Sequence, residues 1–285
     1  MEKTLPLRLE TVKNWDDFEL KLQKLHAGRE QYIKEPGDYA SPLLFRGQAD
    51  ARWELESTLE REISGTKLVD YYRVIHASKP NIESFTSHTW DIPSYEQYSN
   101  DSCNGDLLSL HKLFSSAPIY EYMAYLRHSG FPSPLLDWTA SPYIAAFFAF
   151  NDVKKDTEEV AIYAYLESTG FKITSGGNNE PPHINQLGPY VRTHKRHFLQ
   201  QSQYTVCCGW KNNELCYGSH EEAFENSSGG QDIRWKFTLP SKERSAFLEK
   251  LELMNINAFS LFASEESLIS MLGRRGIKKL LDKTF

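Results

Sequence analysis

Pro42-Leu43-Leu44-Phe45-Arg46-Gly47-Gln48 is the stretch from which the rest of the chain is best read. Pro42 to Arg46 is a short apolar run between polar neighbours, the pattern of a brief buried strand. It ends in a cation, and a buried cation needs a partner or a ligand. Gly47 follows at once, and a glycine at a strand end lets another backbone or a ligand approach closely. The apolar content continues through Trp53, Leu55 and Leu59 towards Arg61.

Working outward, Asn14 is placed to cap a helix that opens with Asp16 and Asp17, carries Trp15, Phe18, Leu22 and Leu25 at helical spacing, and ends at Gly28. Helical patterns recur over Leu68–Ile75 and Leu107–Leu126. His128–Pro134 reads as a turn and Leu135-Leu136 as a short strand; Ser141-Pro142 then caps a buried helix over Tyr143–Phe150. Strands are expected at Val160–Leu166, Gln203–Trp210 and Ile233–Leu239, the last with Trp235 and Phe237 on one face. A short helix is expected within Arg192–Gln201, another from Pro240-Ser241 with Phe247, Leu251 and Met254 as its stripe, and a last one at Glu265–Leu272 before a basic amphipathic tail. Glu83–Gly105, Gly170–Pro189 and Asn212–Gln231 read as polar excursions, the middle one marked by Gly176-Gly177 and Pro181-Pro182. The expectation is an α+β fold, one domain over 1–285, with short mixed or antiparallel strands and peripheral helices.

Composition narrows the function. The 285 residues are 40% hydrophobic and 13% aromatic, which is globular, and the net charge of -6 argues against nucleic-acid binding over the whole surface. No secretory leader or membrane-length apolar run is evident, so a cytoplasmic protein is expected. Four cysteines without a Cys-x-x-Cys spacing read as reduced thiols, and no metal is expected. There is no phosphate-binding Gly-x-x-x-x-Gly-Lys-Ser/Thr loop, no Gly-x-Gly-x-x-Gly, no Gly-x-Ser-x-Gly and no His-Glu-x-x-His. P-loop NTPases, dinucleotide-binding dehydrogenases, elbow hydrolases and zinc proteases therefore have no anchor.

Three segments stand out: Leu44-Phe45-Arg46-Gly47-Gln48; His128-Ser129-Gly130-Phe131-Pro132-Ser133-Pro134-Leu135-Leu136-Asp137-Trp138-Thr139-Ala140-Ser141-Pro142; and Arg196-His197-Phe198-Leu199-Gln200-Gln201-Ser202-Gln203-Tyr204-Thr205. Together they resemble the FRG domain, a bacterial family named for its Phe/Tyr-Arg-Gly motif. Ser133-Pro134 stands where the family has Thr-Arg, and Tyr204 where it has Phe. Ser260-Leu261-Phe262-Ala263-Ser264-Glu265-Glu266 is similar to a C-terminal family element, with Ala263 and Ser267 in place of Pro and Gly. The resemblance spans about 14–272. An aromatic-Arg-Gly on an early strand, a Ser/Thr element in the middle and a late glutamate also look like ADP-ribosyltransferases, and that resemblance implies an ADP-ribosyltransferase-like fold.

The second resemblance implies NAD as co-substrate, anchored by Arg46 with Gly47 and Gln48. Thr139 or Ser141 would bind the nicotinamide ribose, Trp138 or Tyr143 would stack on the nicotinamide, and His128 and Asp137 would complete the cofactor-binding set. Glu266 would act with Arg46 in catalysis, with Glu265 beside it as the other candidate. Arg196, Gln200 and Gln201 would meet the acceptor, an RNA, DNA or protein. The implied role is a bacterial toxin or antiviral defence effector, with an antitoxin as a further partner. Each residue also has a structural reading. Arg46 could simply pair with Asp137, Asp137 could shape the turn before the next helix, Ser141 could only cap that helix, and Glu266 could only favour a helix dipole. Arg192–His197 could be a solvated face. Two other functions stay open, a noncatalytic nucleotide-binding sensor and a nucleic-acid-binding module without chemistry.

Overall fold

The computed structural model describes residues 7–103, 117–170, 182–188, 191–227 and 230–282. In chain order the elements are β1 (Leu7–Thr11), α1 (Trp15–Glu30), β2 (Leu44–Gln48), α2 (Thr58–Glu62), α3 (Leu68–Thr86), α4 (Tyr95–Cys103), α5 (Ala117–His128), β3 (Leu136–Thr139), α6 (Pro142–Asn151), β4 (Glu159–Ser168), β5 (His183–Gln186), α7 (Arg196–Leu199), β6 (Ser202–Lys211), β7 (Glu214–Tyr217), α8 (His220–Glu225), β8 (Gln231–Pro240), α9 (Arg244–Leu253), α10 (Ala258–Phe262) and α11 (Glu265–Asp282). The fold is mixed α and β, built on one eight-stranded sheet in the order β1-β8-β4-β2-β3-β6-β5, with β7 also on β6. The β1–β8 pair is parallel and the other pairs are antiparallel.

Strand β4 explains the layers. Val160, Ile162, Ala164 and Leu166 pack into one core with α1, α6 and α9; the alternate Ala161, Tyr163 and Tyr165 pack into another with Trp138 and Phe224. Both faces are covered, so β4 reads as a continuous apolar run rather than an alternation. A third core joins α3, α4 and α5 to Tyr204, Val206 and Cys208 of β6. Adjacent Cys207 and Cys208 therefore enter different cores, as the two-residue period of a strand requires. Free thiols are found at Cys207, Cys208 and Cys216.

The helix over Trp15–Glu30 is capped by Asn14 as expected, but it runs through Gly28. Strand β2 begins two residues after Pro42 and carries on through Gly47 to Gln48. The polar excursion at 83–105 is in part helical: α3 continues past Pro80 to Thr86, α4 begins at Tyr95, and Trp90 and Tyr98 are buried. Likewise β7 and α8 occupy the excursion at 212–231. Met254 falls just beyond α9 and is exposed, so it is not part of the buried stripe, while Phe247 and Leu251 are buried as read. Most of the loop expected at 170–189, Gly176-Gly177 and Pro181 included, and the first half of the Leu107–Leu126 helix lie outside the described residues.

Candidate active site

The site forms where β2 and β3 part company. Their register is the single pair Phe45–Thr139. Alternation along β3 aims the Asp137 carbonyl at β2 as well, and the strand does not receive it. The Arg46 side chain does: its Nη1 donates to the Asp137 carbonyl oxygen at 2.7 Å and lies 4.0 Å from Asp137 Oδ2. The guanidinium thus props open the divergence between two central strands. Gly47 permits the other wall. A Cβ there would lie 1.9 Å from the Ala145 carbonyl oxygen and 2.6 Å from the Ala149 nitrogen, so only glycine lets α6 sit directly on β2.

The resulting cleft has a volume of about 450 Å³, within the range of small-molecule sites. Four arginines enter it, Arg46, Arg61, Arg127 and Arg196, against two aspartates, Asp137 and Asp152. Arg127, from the last turn of α5, donates to Asp137 Oδ2 and is its closer partner. Arg46 is 15% exposed. Burial is the main force lowering its pKa, to about 10; Asp137 opposes the shift, and Arg127 and Arg61 add to it. It stays charged at neutral pH, held in surroundings that favour an anion.

Unsatisfied polar atoms converge here. Among the described residues, nine buried side-chain nitrogen or oxygen atoms lack a hydrogen-bond partner. Five belong to this cleft: Arg46 Nε, Gln48 Oε1, Arg127 Nε, Asp137 Oδ1 and Arg196 Nε. Buried polar groups are ordinarily satisfied, and five unsatisfied ones gather around this cleft.

The expected site residues divide clearly. Arg46, Gly47, Gln48, His128, Asp137, Trp138, Thr139, Arg196 and Gln200 all line the cleft. Thr139 is already engaged, donating to the Gln200 carbonyl and accepting from the Ser141 amide. Trp138 is buried and its indole N–H donates to Thr205. Gln200 donates its side-chain N–H to the Leu261 carbonyl. Ser141 caps α6 through the Ile144 amide and is outside the lining. Tyr143 packs on Trp15 and hydrogen-bonds Glu19, also outside it. Gln201 sits at φ 48° in the turn into β6, where its carbonyl accepts from Ala140; Ser202 lines the cleft instead.

Glu266 stands in the exposed first turn of α11, outside the lining. Its carboxyl is held below the usual range, first by its own backbone amide, then by the Ser264 hydroxyl, and also by the Arg196 charge. Arg196 links this turn to the cleft, since its guanidinium also lies over Phe262, 5.5 Å from the ring centroid. The sequence places Arg61 at the end of the first segment without a role in the site, and it gives Arg127 none. Arg127 directly precedes His128, and that adjacency was the available signal. The aromatic surface offered to a ligand comes from Trp53, 45% exposed, with Phe148 and Phe262.

Residues 41–158 match the FRG domain. The chain carries an FRG domain. The match holds the Phe45-Arg46-Gly47 and His128–Pro142 segments, the two that form the divergent strands and the wall of the cleft. The remaining wall, from Arg196, Gln200 and Phe262, lies beyond the matched residues. No curated relative and no solved structure matches the chain. Among the described residues no helix is long and apolar enough to cross a membrane.

Proposed function

We propose that the cleft binds NAD and that the chain transfers its ADP-ribosyl group to an acceptor. The observation that carries this is the convergence of unpaired buried atoms from Arg46, Gln48, Arg127, Asp137 and Arg196 in one cationic cleft. Guanidinium groups suit a pyrophosphate, since their planar donors match its oxygens. The unpaired Asp137 Oδ1 suits a ribose hydroxyl or the positive charge that develops when a glycosidic bond breaks. Trp53 offers an aromatic face for a base. Glu266, tied electrostatically to Arg196, would act from the acceptor side.

A nucleic-acid acceptor fits best. Phe198 is 82% exposed on α7, beside Arg192, Lys195 and Arg196, and aromatic faces interleaved with cations are how unpaired bases are held. This reading assigns the protein to the cytoplasm, as a toxin or defence effector restrained by an antitoxin. A nucleotide sensor without chemistry is the second reading, favoured by the position of Glu266 outside the lining.

Labelled NAD incubated with the protein and a cell lysate decides between them. Transfer that is lost in Arg46→Ala and in Glu266→Ala supports the enzyme. NAD binding without transfer supports the sensor. Absence of both binding and transfer overturns the assignment.

A further inference from the structure

His128 ends α5 and lines the cleft. Its Nε2 lies 2.6 Å from the hydroxyl of Tyr204, a fully buried residue of β6. The same hydroxyl lies 3.2 Å from His197 Nδ1, on α7. The phenol meets His128 edge-on, with centroids 6.0 Å apart, and lies nearly parallel to His197 at 5.7 Å. A phenol has one proton to give and can accept another, so the three groups form a continuous hydrogen-bond chain from the cleft to a partly exposed helix. Free histidine ordinarily keeps its proton on Nε2. With that tautomer on both rings, the chain runs one way: His128 Nε2–H would donate to Tyr204, and the Tyr204 O–H to His197 Nδ1. That leaves Nδ1 as the unprotonated nitrogen of a histidine that lines the cleft.

We propose that His128, Tyr204 and His197 form a proton relay in which His128 Nδ1 takes the proton of the acceptor that attacks NAD. The proposal rests on the transfer reading of the cleft. In the reaction the acceptor's oxygen or nitrogen bonds to the ribose C1′. The C1′–nitrogen bond to nicotinamide breaks, and its electron pair leaves with nicotinamide. The acceptor's proton passes to His128 Nδ1, the Nε2 proton moves to Tyr204, and the Tyr204 proton moves to His197 Nδ1. His197, now protonated on both nitrogens, then releases its Nε2 proton.

The relay answers an electrostatic problem. A proton left on His128 would be a buried charge close to Arg127 on its own helix, His197 on α7 and His194 just before it. Among the described residues, Asp137 on β3 is the group that favours that charge. Burial, the largest effect, together with Arg127, His197 and His194, holds the His128 pKa down to about 4. A base in that position works by passing the proton on, and Tyr204 is the group placed to carry it.

Two measurements on the full chain test the relay. In histidine-labelled protein, ¹⁵N NMR from pH 5 to 9 should show neutral His128 fixed as the Nε2–H tautomer. Tyr204→Phe should release it into a tautomer mixture. A His128 found as the Nδ1–H tautomer, or unmoved by Tyr204→Phe, overturns the polarity and the proposal. In single-turnover assays, Tyr204→Phe and the more accessible His197→Gln should bind NAD within about threefold of wild type yet transfer roughly 100-fold more slowly, the usual scale of acid–base assistance. Undiminished transfer in both variants sinks the relay alone. A wild-type chain that shows the expected tautomers but consumes no NAD sinks the transfer reading and the base role with it, while the hydrogen-bond chain stands.

Discussion

At the scale of single residues, Gly47 and Arg46 do opposite things on neighbouring positions. Gly47 faces α6, and the Ala145 carbonyl oxygen occupies the place a Cβ would take. Backbone cannot move aside as a flexible side chain could, so Gly47→Ala should cost about 3 kcal/mol, the upper part of the overpacking range. Urea unfolding would measure this; a loss under about 0.5 kcal/mol would mean that α6 is not pressed on β2. Arg46 was legible as a charge needing a partner, and the structure gives it one in the Asp137 carbonyl. Arg127 was not legible, because an arginine in a helix's last turn is ordinarily a favourable neighbour of the helix dipole. Only the fold shows it bound to Asp137.

At the scale of elements, local signals were read well where one residue sets the boundary. Ser141 caps α6, with Pro142 as the first helical residue. Ser141→Ala should cost about 1 kcal/mol, the common price of a lost N-cap, and should leave NAD affinity unchanged, because Ser141 lies outside the cleft lining. An affinity loss beyond threefold would restore Ser141 to the binding set. Elements were missed where composition masks geometry. Pro80 sits inside α3, against its usual helix-breaking effect. In the β6–β7 hairpin, Asn212 and Asn213 both take positive φ, 53° and 61°; such a pair between short strands is a turn signal, hidden within a polar stretch. The apolar residues of β7 are too few to declare a strand by themselves, and β6 supplies the pairing that makes it one.

At the scale of the whole molecule, a chain of net charge -6 places four arginines in one cleft. The sum says nothing of this segregation, so total charge was a poor guide to the ligand. Burial of His128 also has a global consequence. The unfolded chain takes up this proton near pH 6.5, whereas the folded chain takes it up only near 4. The stability linked to His128 is therefore complete above about pH 6.5 and is lost as pH falls towards 4. His128→Asn should unfold with a smaller drop in urea midpoint between pH 7 and 5 than wild type. Equal drops would show that His128 is not held neutral.

The central claim is that converging guanidinium groups in the split between β2 and β3 bind a dinucleotide. Isothermal titration of NAD into wild type, Arg46→Gln and Arg196→Gln, each confirmed as folded by circular dichroism, tests it most directly. Loss of one charged hydrogen-bonding group costs about 2 kcal/mol, so each variant should bind about 30-fold more weakly than wild type. Equal affinity in all three proteins, or no binding to the wild type, would contradict the account.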